Sequence, residues 1–437
     1  MSPTDPALIP AGVGAGDLVY RTPPETRMVR AEGVWLWDAA GRPYLDAEAA
    51  NGALSFGYDS SLVAEAARRC AGLPGLPSFC ESEQRVAVLQ RLNSRFEAAI
   101  GQQGRVSVEL GGAQGIEMAM RIVAANRGRG PVLVFEGGYH GRSPFTAHLS
   151  ASNRYRANQP WPGPSVIRLP YPDCASCPHR VGDGCNPACT AAVTRLGTND
   201  LFGVPGPEAA EGVSALVIEP LLNVGGCVLP DPAHLRAVVE HARSLGALIV
   251  VDEIFTGMHR LGPEWGHQLH GITPDIVVAS KALTNGITPL SAIWAREPLA
   301  DPKVFPPGSH SSTFSGNPFA IATVDAVLDR WDSWPDPTAR MAEYAAALDA
   351  ALGRLASIDL VKRHSVVGGL ARVELRAPLA MAVRSAATGA SDRPRLLLAS
   401  TGMAPHVIAL HPPLTATADE LAEMVDLLVA ALEEVTR

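Results

Sequence analysis

The sequence lacks the basic excess and the long apolar runs that would point to nucleic acids or membranes as partners. Lysine and arginine number 36 against 44 aspartate and glutamate residues, the formal net charge is -8, and no run of basic residues forms a local patch. No stretch approaches the roughly 20 apolar residues of a membrane-spanning helix. The N-terminal MSPTDPALIPAGVGAG has no basic start followed by an apolar core. We therefore expect no nucleic acid, no membrane partner and no secretion.

Cysteine is scarce and odd in number. Seven cysteines in 437 residues without an export signal favour the reducing cytoplasm. Four of them lie close together in CASCPHRVGDGC and the following NPAC, namely Cys174, Cys177, Cys185 and Cys189. This spacing could hold a structural metal ion or an iron-sulfur cluster, or the segment could be a loop of free thiols. Only one half of the usual pair of metal knuckles is present, so we predict no metal site.

The order of the apolar runs indicates an α/β protein. The N-terminal GVWLWDAAGRPYLD predicts a hairpin with Gly41 in its turn. From about residue 106, short runs that are apolar on both faces alternate with helical segments, as a buried and largely parallel sheet requires. A mixed pattern from about residue 330 predicts a smaller C-terminal domain, whose last helix begins at the capping box of Thr417 and Glu420.

Two ionisable residues follow neighbouring apolar strands. Asp252 ends IVVD and Lys281 follows DIVVAS, and open α/β sheets carry their chemistry at the carboxyl ends of strands. A buried Asp252 needs a cationic partner, which could be a protonated pyridine nitrogen, and Ile254 could pack against the same ring. A desolvated Lys281 amine would have the lowered pKa that Schiff-base chemistry needs. The alternative is a structural ion pair between Asp252 and Lys281.

Three further segments contain candidate cofactor contacts. In VELGGAQGIEMAMRI, adjacent glycines open a helix whose N–H groups could bind a phosphate, although the Gly-Lys-Ser/Thr ending of a nucleotide P-loop is missing. In EGGYHGRS, Tyr139 could cover an aromatic cofactor or lie in an ordinary surface turn. In HSSTFSGNP, Thr313 could donate to a phosphate or cap the following structure.

In this order the segments resemble the class III aminotransferases, which are fold type I pyridoxal 5′-phosphate (PLP) enzymes, over nearly the whole chain. The resemblance implies that Lys281 carries PLP as a Schiff base and that Asp252 is the partner of the pyridine nitrogen. It also implies that Gly112 and Ala113 bind the phosphate through their backbone amides and that Tyr139 stacks on the cofactor ring. Glu219 would lie at the rim of the ring, and Thr313 would reach the phosphate of the neighbouring subunit's cofactor. A shared active site implies a homodimer.

The resemblance also implies the architecture. We expect a large domain with a mostly parallel seven-stranded sheet and a small α+β domain built from both chain ends. Residues 1–60 would join the small domain, residues 61–330 would form the large PLP-binding domain with a cysteine-rich loop at 170–190, and residues 331–437 would complete the small domain.

The implied activity is that of an aminotransferase acting on a terminal or non-α amine, with a keto acid or aldehyde as acceptor. Aminomutase, racemase and decarboxylase chemistry is possible with the same residues, and a scaffold without catalysis is a further alternative. Many relatives hold a substrate carboxylate with an arginine shortly before the PPL sequence, and here no arginine occurs from Leu396 to Leu414. We therefore expect 2-oxoglutarate to be a poor acceptor compared with pyruvate.

Other arginines could replace the missing one. Arg142, Arg154 and Arg156 follow the YHG segment and are candidates. Arg393 and Arg395 flank a proline in a polar stretch, so we expect both to be solvated.

Overall fold

The computed structural model describes residues 28–77, 80–157, 159, 162–173, 212–389 and 393–437, so the four clustered cysteines lie outside the described residues. The strands are β1 (Met28–Glu32), β2 (Trp35–Asp38), β3 (Pro43–Ala47), β4 (Gly104–Glu109), β5 (Val132–Phe135), β6 (Val166–Leu169), β7 (Ala215–Ile218), β8 (Leu248–Glu253), β9 (Ile276–Ala279), β10 (Ser291–Arg296), β11 (Val361–Val367), β12 (Leu370–Leu375), β13 (Arg395–Ser400) and β14 (Val407–Leu410).

The α-helices span Ser60–Cys70, Glu83–Ile100, Gly112–Arg127, Thr146–Leu149, Asn153–Arg156, Pro232–Ser244, His267–His270, Pro318–Asp332, Pro337–Leu352, Ala380–Ala387 and Ala418–Thr436. Short 3-10 turns span Lys281–Thr284, Glu297–Leu299 and Gly353–Ser357, and a separate helical turn spans Ala49–Gly52. Among the described helices, none is both long and apolar enough to cross a membrane.

The central sheet has seven strands in the order β4-β10-β9-β8-β7-β5-β6. The strands from β9 to β6 pair in parallel, whereas β10 runs antiparallel to both β9 and β4. Every residue of β5, β7, β8 and β9 is buried, because apolar clusters cover both faces of the sheet. The mostly parallel seven-stranded sheet is therefore confirmed, and the carboxyl ends of β5, β7, β8 and β9 meet at one edge.

The second sheet, also of seven strands, has the order β1-β2-β3-β13-β14-β12-β11 and so combines both ends of the described chain. The predicted hairpin is present as β2 and β3, and Gly41 has a φ of +76° in its turn. Thr417 and Glu420 form the expected capping box of the last helix. The domain limits near residues 60 and 330 stay a prediction.

The expectation that Arg395 is solvated was wrong. Its residue is only 7% exposed, its Nε donates hydrogen bonds to the carbonyls of Thr388 and Gly389 at 3.0 and 2.8 Å, and its guanidinium lies 5.4 Å from the centre of the Tyr44 ring. The cause is tertiary, because β13 begins at Arg395 and pairs in parallel with β3, opposite Tyr44. Arg393, just before this strand, is exposed as expected.

Asp325 is the centre of an ion-pair network between three helices. It lies on Pro318–Asp332 and accepts hydrogen bonds from Arg69 Nη1 at 2.7 Å and from Arg91 Nη1 at 2.6 Å. Both arginines belong to helices that pack against this one, and all three side chains are at least two-thirds buried. A network of this kind contributes more than isolated surface ion pairs do.

We predict that Asp325→Asn lowers the free energy of unfolding by about 1 to 2 kcal/mol, because two largely buried arginines lose the more buried of the two anions, Asp325 and Asp329, that they share. The matched control is Asp426→Asn, which removes an exposed ion pair with Arg354 and should change stability by less than about 0.5 kcal/mol. Thermal unfolding of the two variants beside the parent protein measures the difference. Equal melting temperatures for both variants would show that the network does not stabilise this helix packing.

Candidate active site

The carboxyl ends of the parallel strands border a cavity of about 530 Å³. The sequence-predicted contact residues that line it are Gly112, Ala113, Tyr139, Glu219, Asp252, Ile254 and Lys281. These residues come from five separate stretches of the chain, which the order of strands in the sheet brings together. The cavity is the meeting point that the positions of these residues predicted.

Asp252 lies at the carboxyl end of β8 and is 3% exposed. Its Oδ2 lies 2.8 Å from His140 Nδ1, and its Oδ1 accepts a hydrogen bond from the Ile254 N–H at 3.1 Å. Burial opposes a charge on His140, but the hydrogen bond to Asp252 and the negative charges of Asp252 and Glu219 prevail and raise the pKa of His140. His140 Nδ1 thus compensates the buried carboxylate through this hydrogen bond.

Glu219 follows β7 and supports the residue that was expected to cover a cofactor. Its Oε1 accepts a hydrogen bond from the Tyr139 N–H at 2.7 Å. Desolvation, with a contribution from the charge of Asp252, raises the pKa of Glu219. The carboxyl group therefore fixes the backbone of Tyr139, whose ring lies edge-to-face with Tyr155 at 5.4 Å between ring centres.

The helix Gly112–Arg127 begins at the cavity without a side-chain cap. Its N-cap residue, Gly111, makes no side-chain hydrogen bond, so the first N–H groups of the helix have no such acceptor. Gly112 is also tightly packed, because an added Cβ would lie 2.8 Å from Ile254 Cδ1. This helix start combines free N–H donors with a positive dipole end and suits a phosphate.

Lys281 follows β9 and has a left-handed backbone with φ of +41°. Its Nζ donates a hydrogen bond to the Asn51 carbonyl at 3.0 Å and lies 4.9 Å from the centre of the Phe255 ring. Desolvation lowers the pKa of Lys281 to about 8, although the charges of Asp252 and Glu219 oppose the shift. Asp252 pairs with His140 and Lys281 with the Asn51 carbonyl, and the two described side chains form no direct ion pair with each other.

Thr313 does not line this cavity. It is exposed, as is the neighbouring Phe314, which is 67% exposed. Within one chain, Thr313 therefore does not contact a phosphate in this cavity. It does not cap the helix Pro318–Asp332 either, because Asn317 is the capping residue.

Several cavity residues were not identified from the sequence. His140 was missed as the partner of Asp252, although the buried acid required a cation and His140 stands beside Tyr139. Asn51 and Phe255 were missed because no local pattern connects them with Lys281. Of the three candidate arginines, Arg142 lines the cavity, with its guanidinium 4.6 Å from the centre of the Tyr155 ring.

In the described residues we find no cluster of acidic, histidine or cysteine side chains that could hold a metal ion.

Comparison with known proteins agrees with this geometry. The profile of the family Aminotransferase class-III matches residues 19–432. The chain is 31% identical over 416 residues to the acetylornithine aminotransferase of Streptomyces coelicolor, covering 94% of this chain and 92% of that protein. It is 28% identical over 424 residues to the 2-aminoadipate transaminase of Pseudomonas putida, covering 91% and 94% of the two chains.

Solved structures share the fold. The omega transaminase from Pseudomonas jessenii in complex with PMP superposes with a TM-score of 0.82 at 20% identity, covering 94% of this chain and 92% of that one. An aminotransferase of Bacillus anthracis gives a TM-score of 0.80 at 22% identity, with 93% of each chain covered.

We predict that Lys281 reacts as an unusually acidic lysine in the protein freed of cofactor. Only the neutral amine is nucleophilic, so its labelling by formaldehyde and cyanoborohydride should rise with pH and reach half its maximum near pH 8. Mass spectrometry of the Lys281 peptide measures this profile. In the urea-unfolded protein the same peptide should follow the ordinary value of about 10.4. A folded-state midpoint at that ordinary value would contradict the desolvation of Lys281.

Proposed function

Because the chain belongs to the class III aminotransferases, which depend on pyridoxal 5′-phosphate, we propose that Lys281 and Asp252 are its catalytic residues and that it transfers a terminal or other non-α amino group. The observation that carries this proposal is the cavity itself, in which a desolvated lysine and a buried, histidine-paired carboxylate lie on one lining. The acceptor is a keto acid or an aldehyde.

The cavity residues fit the cofactor at three points. The uncapped helix start at Gly112 and Ala113 suits a phosphate dianion. Gly112 lies so close to Ile254 that any larger residue would fill the space between them. Asp252 offers a buried carboxylate to a protonated ring nitrogen, with Ile254 and Tyr139 as the residues proposed to contact the faces of the ring.

In the proposed mechanism each residue has one task. When bound, PLP supplies a ring that accepts the electron pair left on the substrate carbon as a proton departs. Asp252, oriented by His140, holds a proton at the ring nitrogen. Lys281 would take the proton from the substrate carbon through its neutral Nζ and hold it for return. Glu219 keeps Tyr139 in position through its N–H group.

The substrate side of the cavity supports an amine that reacts away from its carboxylate. The strand before PPL, β14, has Ala409 within an apolar cluster that includes Phe255 and Leu221. The arginine opposite Ala409 in the sheet, Arg372, is engaged by Glu374 and the Gly226 carbonyl. Arg142 lines the cavity beside Tyr139 and Tyr155 and is the arginine that we propose for a remote carboxylate. The relative named for acetylornithine has a substrate name that denotes a carboxylate-bearing molecule, which agrees with such a role.

We also propose a homodimer that works in the cytoplasm. Thr313 and the neighbouring Phe314 are both exposed, so the surface of a second subunit can reach them. We infer that Thr313 reaches the phosphate of the neighbouring subunit's cofactor. The cytoplasmic location is supported by the odd number of cysteines.

We predict that borohydride reduction attaches the cofactor to Lys281 alone. The chain has three lysines, Lys281, Lys303 and Lys362, so peptide mapping after reduction identifies the site without ambiguity. Lys281→Ala should abolish attachment and keep the circular dichroism spectrum, whereas the exposed Lys303→Ala should keep both. Recovery of the reduced cofactor on either other lysine would refute the assignment.

We predict that Arg142→Leu raises KM for amine donors that carry a remote carboxylate but not for donors that lack one. For a donor with a remote carboxylate, such as 4-aminobutyrate, KM should rise about tenfold or more, because a charge-assisted hydrogen bond is lost. For an analogue without a carboxylate, such as 1-aminobutane, KM should change less than about threefold.

The control for this experiment is Arg154→Leu, because Arg154 is exposed and does not line the cavity. In the parent enzyme, 2-oxoglutarate should accept the amino group more slowly than pyruvate, because it brings two carboxylates and Arg142 is the only arginine among the described residues that line the cavity. An equal loss with both donors in Arg142→Leu, or 2-oxoglutarate as the faster acceptor, would contradict the proposed specificity.

A further inference from the structure

A left-handed turn near the N-terminus presents a carbonyl oxygen to Lys281. Four consecutive residues from Ala49 to Gly52 have φ values of +48°, +50°, +58° and +76°. Three of them carry a Cβ, for which this conformation is unfavourable. The Asn51 carbonyl in this turn accepts the hydrogen bond from Lys281 Nζ at 3.0 Å. Strained backbone of this kind persists only where the surroundings hold it, and it concentrates at functional sites.

Two acidic side chains hold the start of the turn. Asp46 is 1% exposed, and its Oδ1 accepts hydrogen bonds from the N–H groups of Glu48 and Ala49, both at 2.8 Å. Its Oδ2 accepts the Tyr58 hydroxyl at 2.7 Å. Glu48 Oε1 in turn accepts the N–H of Asn51 at 2.9 Å. Carboxylates therefore fix the peptide units that lead into the turn and the one at Asn51 within it.

A buried arginine holds the end of the turn. Arg260 has no exposed surface and donates a hydrogen bond from Nη2 to the Gly52 carbonyl at 3.3 Å. Its Nη1 donates to the carbonyls of Gly369 and Pro412 at 3.2 and 2.8 Å. Arg260 thus joins the turn to two C-terminal segments. Desolvation lowers the pKa of Arg260 to about 10, so its guanidinium remains charged at neutral pH.

The turn also packs directly against the ring beside the amine. A Cβ added to Gly52 would lie 2.6 Å from Phe255 Cε2. The centre of the same ring lies 4.9 Å from Lys281 Nζ. The turn, the phenylalanine ring and the lysine amine therefore form one packed unit, in which a shift of the turn displaces the acceptor of the amine.

We propose that the turn Ala49–Gly52 is a positioning element for Lys281. Whenever the Lys281 amine is not bonded to the cofactor, it donates a hydrogen bond to the Asn51 carbonyl. The inference rests on the proposed catalytic role of Lys281. A free amine on a four-carbon chain has many rotamers, and one fixed acceptor keeps it within reach of the substrate and cofactor. Small misplacements of a reacting group reduce rates strongly.

The decisive variant is Gly52→Ala, and the chain offers a close control. Gly41 has the same φ of +76°, but a Cβ added there would have nothing within 4 Å. Gly41→Ala therefore introduces the same backbone strain without moving anything near Lys281. Circular dichroism first shows that both variants fold.

Two cofactor forms distinguish an effect on the position of the lysine amine from an effect on the affinity of the pocket for the cofactor. Pyridoxamine phosphate binds without bonding to lysine, so its affinity reports the pocket, whereas the rate of covalent attachment of PLP reports the amine. We expect Gly52→Ala to slow attachment about tenfold or more and to change the pyridoxamine phosphate affinity less than about twofold. Gly41→Ala should change neither. Attachment at the parent rate, or a parallel loss of pyridoxamine phosphate affinity, would overturn the inference.

A second pair of variants covers the case that Gly52→Ala does not fold. Glu48→Ala removes the acceptor of the Asn51 N–H, whereas Glu48→Gln keeps an oxygen at that position. Attachment should slow severalfold in Glu48→Ala and stay near the parent rate in Glu48→Gln, and equal rates in the two would overturn the inference. Reduction and peptide mapping accompany each rate, because cofactor on another lysine would refute the proposed function and not the role of the turn.

Discussion

The active-site geometry depends on the compensation of one buried carboxylate. Asp252 stands at the end of a fully buried strand, and an unpaired charge there would cost several kcal/mol. His140 and the Ile254 N–H supply the compensation, so the loop after β5 lies across the end of β8. The same loop carries Tyr139 and Arg142 into the cavity. One electrostatic requirement thus determines the position of the residues proposed for the ring and for a remote carboxylate.

The environment of Lys281 has a different origin, because it combines segments that are distant in sequence. Its hydrogen-bond acceptor is Asn51, its aromatic neighbour is Phe255, and Gly402 also borders the cavity. The buried guanidinium of Arg260 joins the N-terminal turn to two C-terminal segments through hydrogen bonds to carbonyl oxygens. The lowered pKa of Lys281 is therefore a property of the assembled chain ends and of the central sheet together.

Local patterns predicted those features whose cause is local. Asp252 and Lys281 were found because each follows a short apolar run, and the capping box at Thr417 because its partner is three residues away. Arg395 was misjudged, since its polar neighbours in sequence do not reveal that β13 pairs with β3. His140 was overlooked because its partner is 112 residues further along the chain.

The sequence alone determined the α/β class and the strand ends that carry the acid and the lysine. These depend on the periodicity of apolar residues, which are buried on both faces of the strands. The number of strands and their mostly parallel arrangement followed from the resemblance to a known family. Tertiary structure decided that His140 pairs with Asp252, that Arg142 faces the cavity and that a left-handed turn meets Lys281. Contacts of this kind join residues far apart in the chain, and their energies depend on burial and on distances that exist only after the two sheets have packed.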